Sequence, residues 1–184
     1  MTPYQVFNLV DDDTFQSLEK DIIRLLPGKV DMFLEPIKTF DRNRIGNFAT
    51  VCEQIYQLMI SRNFKNPKIN RIGIIKNNRK HVPFHLHPSL GTMNPILRKD
   101  FGKHVIPLER AFVAVFYCHN IPEPKYQGVL GVKRFAKDRT GFTFPATPNS
   151  IIIHDGTYGH DADVEEIHPS ISRSSCYTHW TVDP

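Results

Sequence analysis

The chain holds 184 residues, 40% of them hydrophobic and 23% charged, with a net charge of +4 and a pI near 9.0. That balance excludes disordered, collagen-like and repetitive classes and suits one domain with a sizeable hydrophobic core. No apolar run approaches the roughly 18 residues of a membrane span, and the opening residues lack the basic start and apolar stretch of a signal peptide.

Asp11-Asp12-Asp13-Thr14 offers capping oxygens and negative charge for a helix start. Phe15, Leu18, Ile22 and Leu25 follow at helical spacing, and Pro27-Gly28 ends the pattern, so a helix is predicted over residues 14–26. A second helix is predicted over 43–62, where Ile45, Phe48, Val51, Ile55 and Leu58 form one apolar face. Cys52, Cys118 and Cys176 are odd in number and far apart, which predicts a reducing, cytoplasmic setting and no disulfide framework.

Between Arg62 and Lys80 stand seven basic residues (Arg62, Lys65, Lys68, Arg71, Lys76, Arg79, Lys80) and no acid. Such a segment is either a solvated loop-strand-loop or a surface for an anionic or nucleic-acid partner. Beyond Pro67 the pattern turns to strands. Arg71–Lys76, the continuous apolar run Ala111–Cys118, Tyr126–Phe135, Ser150–His154 and Ser174–Val182 are all β-prone and separated by turn signals. The expected fold class is α+β, with N-terminal helices packed on a jelly-roll core in one domain spanning 1–184. Residues 1–66 would serve as helical support and 67–184 as a β-rich barrel.

All nine histidines lie between His81 and His179, so the chemistry is expected in the second part of the chain. In Pro83-Phe84-His85-Leu86-His87-Pro88-Ser89, two histidines two apart on a strand point the same way and can face one metal. Further on, His160 follows a Gly-containing turn, Arg173 comes thirteen residues later, and Ser175 two beyond that.

Over residues 83–182 this arrangement resembles the 2-oxoglutarate- and iron-dependent oxygenase superfamily, whose fold is a double-stranded β-helix. The runs AFVAVFYCHN and YQGVLGVKRF are similar to the strand, loop and Gly-containing strand between that family's two metal half-sites. The resemblance implies Fe(II) held by His160 with His85 and His87. It also implies 2-oxoglutarate as co-substrate, its far carboxylate gripped by Arg173 and Ser175. Imidazole suits Fe(II), and arginine's planar fork suits a carboxylate.

The sequence departs from the family at one point, since no His-x-Asp or His-x-Glu triplet occurs anywhere in it. His85, His87 and His160 would form a three-histidine site, or Asp100 or Glu109 would complete the set. Otherwise the site is carboxylate-free, as in related halogenases, or the barrel has lost its metal.

Two other readings compete. His87-Pro88-Ser89-Leu90 and His168-Pro169-Ser170-Ile171 resemble the paired motifs of two-histidine phosphoesterases, where one imidazole acts as base and the other as acid. Against this, proline suits a strand centre poorly, and few residues follow Ser170. The third is a non-enzymatic jelly roll that binds through the basic segment. Tyr117 and Trp180 are expected in the core.

Overall fold

The structure, a computed structural model, describes residues 1–28, 31–86 and 108–184. Its elements in chain order are β1 (Tyr4–Phe7), α1 (Asp12–Leu25), β2 (Asp31–Pro36), α2 (Arg42–Ile45), α3 (Phe48–Ser61), β3 (Lys68–Asn77) and β4 (His81–Leu86). A 3-10 turn (Leu108–Arg110) then leads into β5 (Ala111–Tyr117), α4 (Pro124–Gln127), β6 (Val129–Lys133), β7 (Phe142–Pro145), β8 (Ser150–Asp155), β9 (Gly159–Asp163) and β10 (Arg173–Thr181).

The helix starts follow from the sequence. Asp11 caps α1, its Oδ1 accepting from the Thr14 N–H at 2.8 Å, and Phe15, Leu18 and Ile22 are buried along one face. The second predicted helix is two helices. Gly46 turns to φ 60°, and the Asn47 backbone N–H and side-chain amide both donate to the buried Asp21 of α1, at 2.7 and 3.0 Å. A tertiary contact therefore interrupts a helical pattern that continues in sequence on both sides. From Phe48 onward α3 buries Val51, Cys52, Ile55 and Met59.

The first 66 residues are not only helical, because β1 and β2 join the larger sheet at its two edges. Both are short and mixed in composition. Their strand character comes from pairing with β8 and β3 rather than from their own pattern.

The sheet orders are β1-β8-β5-β10-β3-β2 and β4-β9-β6-β7. From β3 onward the chain passes repeatedly between the two sheets, with β3, β5, β8 and β10 in the larger and β4, β6, β7 and β9 in the smaller. This is a jelly-roll core.

Strand β5 explains the layering. Phe112, Ala114 and Phe116 lie in a cluster with Leu18, Val51, Ile55, Ile74, Cys176 and Trp180, on the helical side. Ala111, Val113, Val115 and Tyr117 cluster instead with Leu130, Val132 and Ile152, between the sheets. A strand buried on both faces reads as an unbroken apolar run, which is why AFVAVFYC lacks alternation. The Phe15 ring meets Phe116 edge-on at 6.3 Å, joining α1 to the sheet. Trp180 is fully buried, its indole N–H donating to Thr178 at 2.7 Å. No helix among the described residues is long and apolar enough to cross a membrane.

The cysteines Cys52, Cys118 and Cys176 are free and buried. His119 follows β5, and one ring nitrogen donates to the Ala146 carbonyl at 3.0 Å. Burial lowers its pKa to about 4, and those of His154 and His179 to about 4 and about 3. These groups are neutral when folded and take up protons below their ordinary value of about 6.5 once unfolded. The unfolded chain therefore binds more protons, and stability falls as pH drops from about 6.5 toward 4. In urea titrations the midpoint should fall across this window. His119→Gln should reduce the slope by up to about 1.4 kcal/mol per pH unit, the share of one histidine.

Candidate functional site

The interior between the two sheets is built by alternation. Tyr177 packs into the inter-sheet cluster, so Arg173, Ser175 and His179, spaced by two along β10, share its face. Cys176 and Trp180 take the opposite face, toward the helices. In register across the larger sheet, Arg71 on β3, His179 on β10, Val113 on β5 and His154 on β8 form one row. In the smaller sheet His85 on β4 stands opposite His160 on β9, which stands opposite Val132 on β6.

These rows bring imidazoles together. The rings of His85 and His160 meet at 4.5 Å between centroids, with planes at 79°. His154 Nε2 lies 3.1 Å from His160 Nδ1. The His160 pKa is held well below its ordinary value, by burial first and then by neighbouring His154, His85 and His179.

The His85 Nδ1 lies 3.1 Å from the Pro83 carbonyl oxygen. Carbonyls only accept, so Nδ1 carries a proton, and in the neutral ring the lone pair then lies on Nε2, the form in which imidazole binds a metal. His85 and His160 are the two candidate imidazoles that the described residues bring side by side. Among the described residues no group of three or more His, Cys, Asp or Glu is placed to hold a metal ion. The expected third ligand, His87, lies outside the described residues, as does Asp100. Glu109, the other carboxylate considered, is exposed on the 3-10 turn and belongs to no such group.

Arg173 begins β10. Its Nη2 donates to the Arg79 carbonyl at 2.5 Å and, at 3.5 Å, approaches the Asn77 side-chain oxygen. Burial lowers its pKa, opposed by the nearby Tyr117 and Asp163. Acids of β9 and of the loop that follows it have other partners among the described residues. Asp161 binds Lys133, Asp163 binds His81 and Glu166 binds Lys125. Room for the guanidinium comes from Gly128, at φ 88°, where a Cβ would lie 2.6 Å from Arg173 Nη1. Ser175 sits opposite Tyr117, which lies in the core as expected, in the inter-sheet cluster and near Arg173.

Sequence reasoning missed His154. The one cue in sequence was alternation, since His154, next to last in the strand SIIIHD, lies on the face that Ser150 and Ile152 share. His179, on the inner face of β10, joins the same cluster.

The rival motif fares differently. His168 lies in the loop between β9 and β10, its Nδ1 accepting from the Ser170 and Ile171 backbone N–H groups at 3.1 and 2.9 Å. That is a local turn. Its partner motif, His87 to Leu90, lies outside the described residues. The basic segment is dispersed from the end of α3 through β3 to the turn after it. Arg62 stacks on Tyr4, Lys65 bonds the Pro184 carbonyl, Lys68 pairs with Asp183, and Arg71 faces the interior. These placements favour the structural role over a nucleic-acid surface.

No family model and no curated protein matches the chain. Solved structures do match its fold. A Pseudomonas putida prolyl-4-hydroxylase is similar at a TM-score of 0.63 and 13% identity, over 99% of this chain and 92% of that one. A viral collagen prolyl hydroxylase from Paramecium Bursaria Chlorella virus-1, in its 2OG complex, gives 0.65 and 8%, over 99% and 97%. HygX from Streptomyces hygroscopicus, with nickel and 2-oxoglutarate bound, gives 0.65 and 9%, over 98% and 82%. The chain therefore has the fold of 2-oxoglutarate- and iron-dependent oxygenases.

Gly128→Ala should destabilise the protein by about 1–3 kcal/mol in urea unfolding, through its left-handed backbone and a Cβ that would lie 2.5 Å from the Asp163 carbonyl oxygen. An unchanged midpoint would mean that the backbone at Gly128 is not held in this conformation.

Proposed function

We propose that the chain is a non-haem iron, 2-oxoglutarate-dependent oxygenase of hydroxylase type. The observation that carries this is the facing of His85 and His160 across paired strands, with their rings 4.5 Å apart, inside a barrel whose next strand presents Arg173 and Ser175. The likeness of fold supports it.

In this proposal His85, His160 and, outside the described residues, His87 hold Fe(II). Three imidazoles would stand where the family has two and a carboxylate, and each is neutral, so the site carries one negative charge less. Bound Fe(II) with 2-oxoglutarate and dioxygen would supply the oxidising power to hydroxylate an unactivated C–H bond.

The chain's own contribution is binding and exclusion. Arg173 offers a planar fork to the far carboxylate of 2-oxoglutarate, with the Ser175 hydroxyl two positions along the same face. The Tyr117 phenol, kept protonated by burial, is a further donor beside Arg173. Val113, Val115, Leu130, Val132 and Ile152 line the space between the sheets and keep water from the reacting centre.

Anaerobic titration of the protein with Fe(II) and 2-oxoglutarate, followed by visible absorption, tests the proposal. A charge-transfer band that needs both components is expected. It should vanish in His160→Ala, weaken at least tenfold in apparent 2-oxoglutarate affinity in Arg173→Ala, and persist in His168→Ala. The absence of a band in the wild-type protein would overturn the proposal, and the barrel would then stand as a binding module.

A further inference from the structure

We infer that His154 is the positioning residue of this site, holding His160 in the tautomer whose Nε2 carries the lone pair. The inference rests on the proposed metal role of His160, and its proton arrangement is argued without reference to any metal.

The relay of protons starts at a backbone carbonyl. His154 Nδ1 lies 2.9 Å from the Asp155 carbonyl oxygen, which can only accept, so Nδ1 carries a proton. The His154 side chain is fully buried, in a row with Val113, and an imidazolium there would lose its hydration. The ring is therefore neutral, and its Nε2 is an acceptor. That nitrogen lies 3.1 Å from His160 Nδ1, so His160 Nδ1 must donate. His160 is itself buried and neutral, which leaves the lone pair on its Nε2.

The arrangement is anchored beyond the two rings. Asp155 pairs in register with Phe112 on β5, and its carboxylate accepts from the Thr157 N–H at 3.0 Å and from the Met1 ammonium. The carbonyl that starts the relay is thus fixed by the sheet. His85 reaches the same tautomer independently, through the Pro83 carbonyl. Two different backbone oxygens therefore set both imidazoles to offer Nε2, one directly and one through His154. Outer partners of this kind orient a ligating histidine and typically alter metal affinity by about 10–100-fold when removed.

Two measurements test this. Long-range proton–nitrogen correlation spectra of the metal-free protein report which nitrogen of each histidine is protonated. His160 and His154 should both be protonated at Nδ1. Finding the proton on His160 Nε2 would overturn the inference whatever the variants do. Co(II) titration, read by visible absorption, then compares the wild-type protein with His154→Gln and His154→Leu. Glutamine offers a side-chain oxygen to accept from His160 Nδ1, so His154→Gln should keep the tautomer and bind Co(II) nearly as the wild type does. His154→Leu should shift the His160 proton toward Nε2 and bind Co(II) about 10–100-fold more weakly. Equal affinity in all three would remove the positioning role. A wild-type protein that takes no Co(II) would overturn the metal-site proposal and the role of His154 toward a metal, while the spectra would still decide the proton arrangement.

Discussion

Strand β10 must satisfy two incompatible neighbourhoods at once. One face carries Cys176 and Trp180 into the helical core, and the other carries Arg173, Ser175, Tyr177 and His179 into the space between the sheets. Its hydrogen-bonded register with β3 on one side and β5 on the other keeps these sets apart. A slip of one residue would exchange them, driving a guanidinium and an imidazole among Phe116, Ile74 and Val51. The register shift opposite His179 and Trp180 is taken up on β3, where Asn70 is the extra residue, while the pairing of β10 with β5 continues unbroken to Thr181. The helices contribute to the site indirectly, since the apolar surface of α1 and α3 fixes which face of β10 is turned inward.

Much of this was legible in residue order. The capped start of α1 and the strand at Ala111–Tyr117 are local patterns, and the structure follows them. The spacing from His160 to Arg173 and Ser175 pointed to one interior, and alternation along β10 places Arg173 and Ser175 on its inner face. What sequence could not carry was pairing. The break at Gly46 depends on Asp21, a residue one helix earlier. The strands β1 and β2 exist because exposed edges of a larger sheet accept them. His154 gave no motif of its own, because its meaning lies in a contact with His160 across a turn. The basic segment shows the converse error. Seven like charges close in sequence look like a surface, but strand alternation sends Arg71 inward and leaves others to separate partners.

The polar interior has an energetic signature as well. Three buried imidazoles, His154, His160 and His179, are tolerable within one barrel only if they stay neutral and find hydrogen-bond partners. The Asp155 carbonyl, at the end of β8, meets part of that need, and the Pro83 carbonyl, at the register shift in β4, serves the exposed His85. Structural stability and the proposed chemistry thus place the same demand on the same protons.

The two facing histidines are not equivalent in their support. His160 sits on β9, which is laddered on both sides by β4 and β6, and its ring is buried. His85 rides on β4, the edge of the smaller sheet, just past a register shift, and its ring is exposed. One imidazole is therefore a fixed post and the other a latch. A metal ion held by both, as proposed, would meet a preorganised partner first. The conformational entropy lost on binding would then fall on the edge strand, so affinity would be tuned at β4 without disturbing the centre of the barrel.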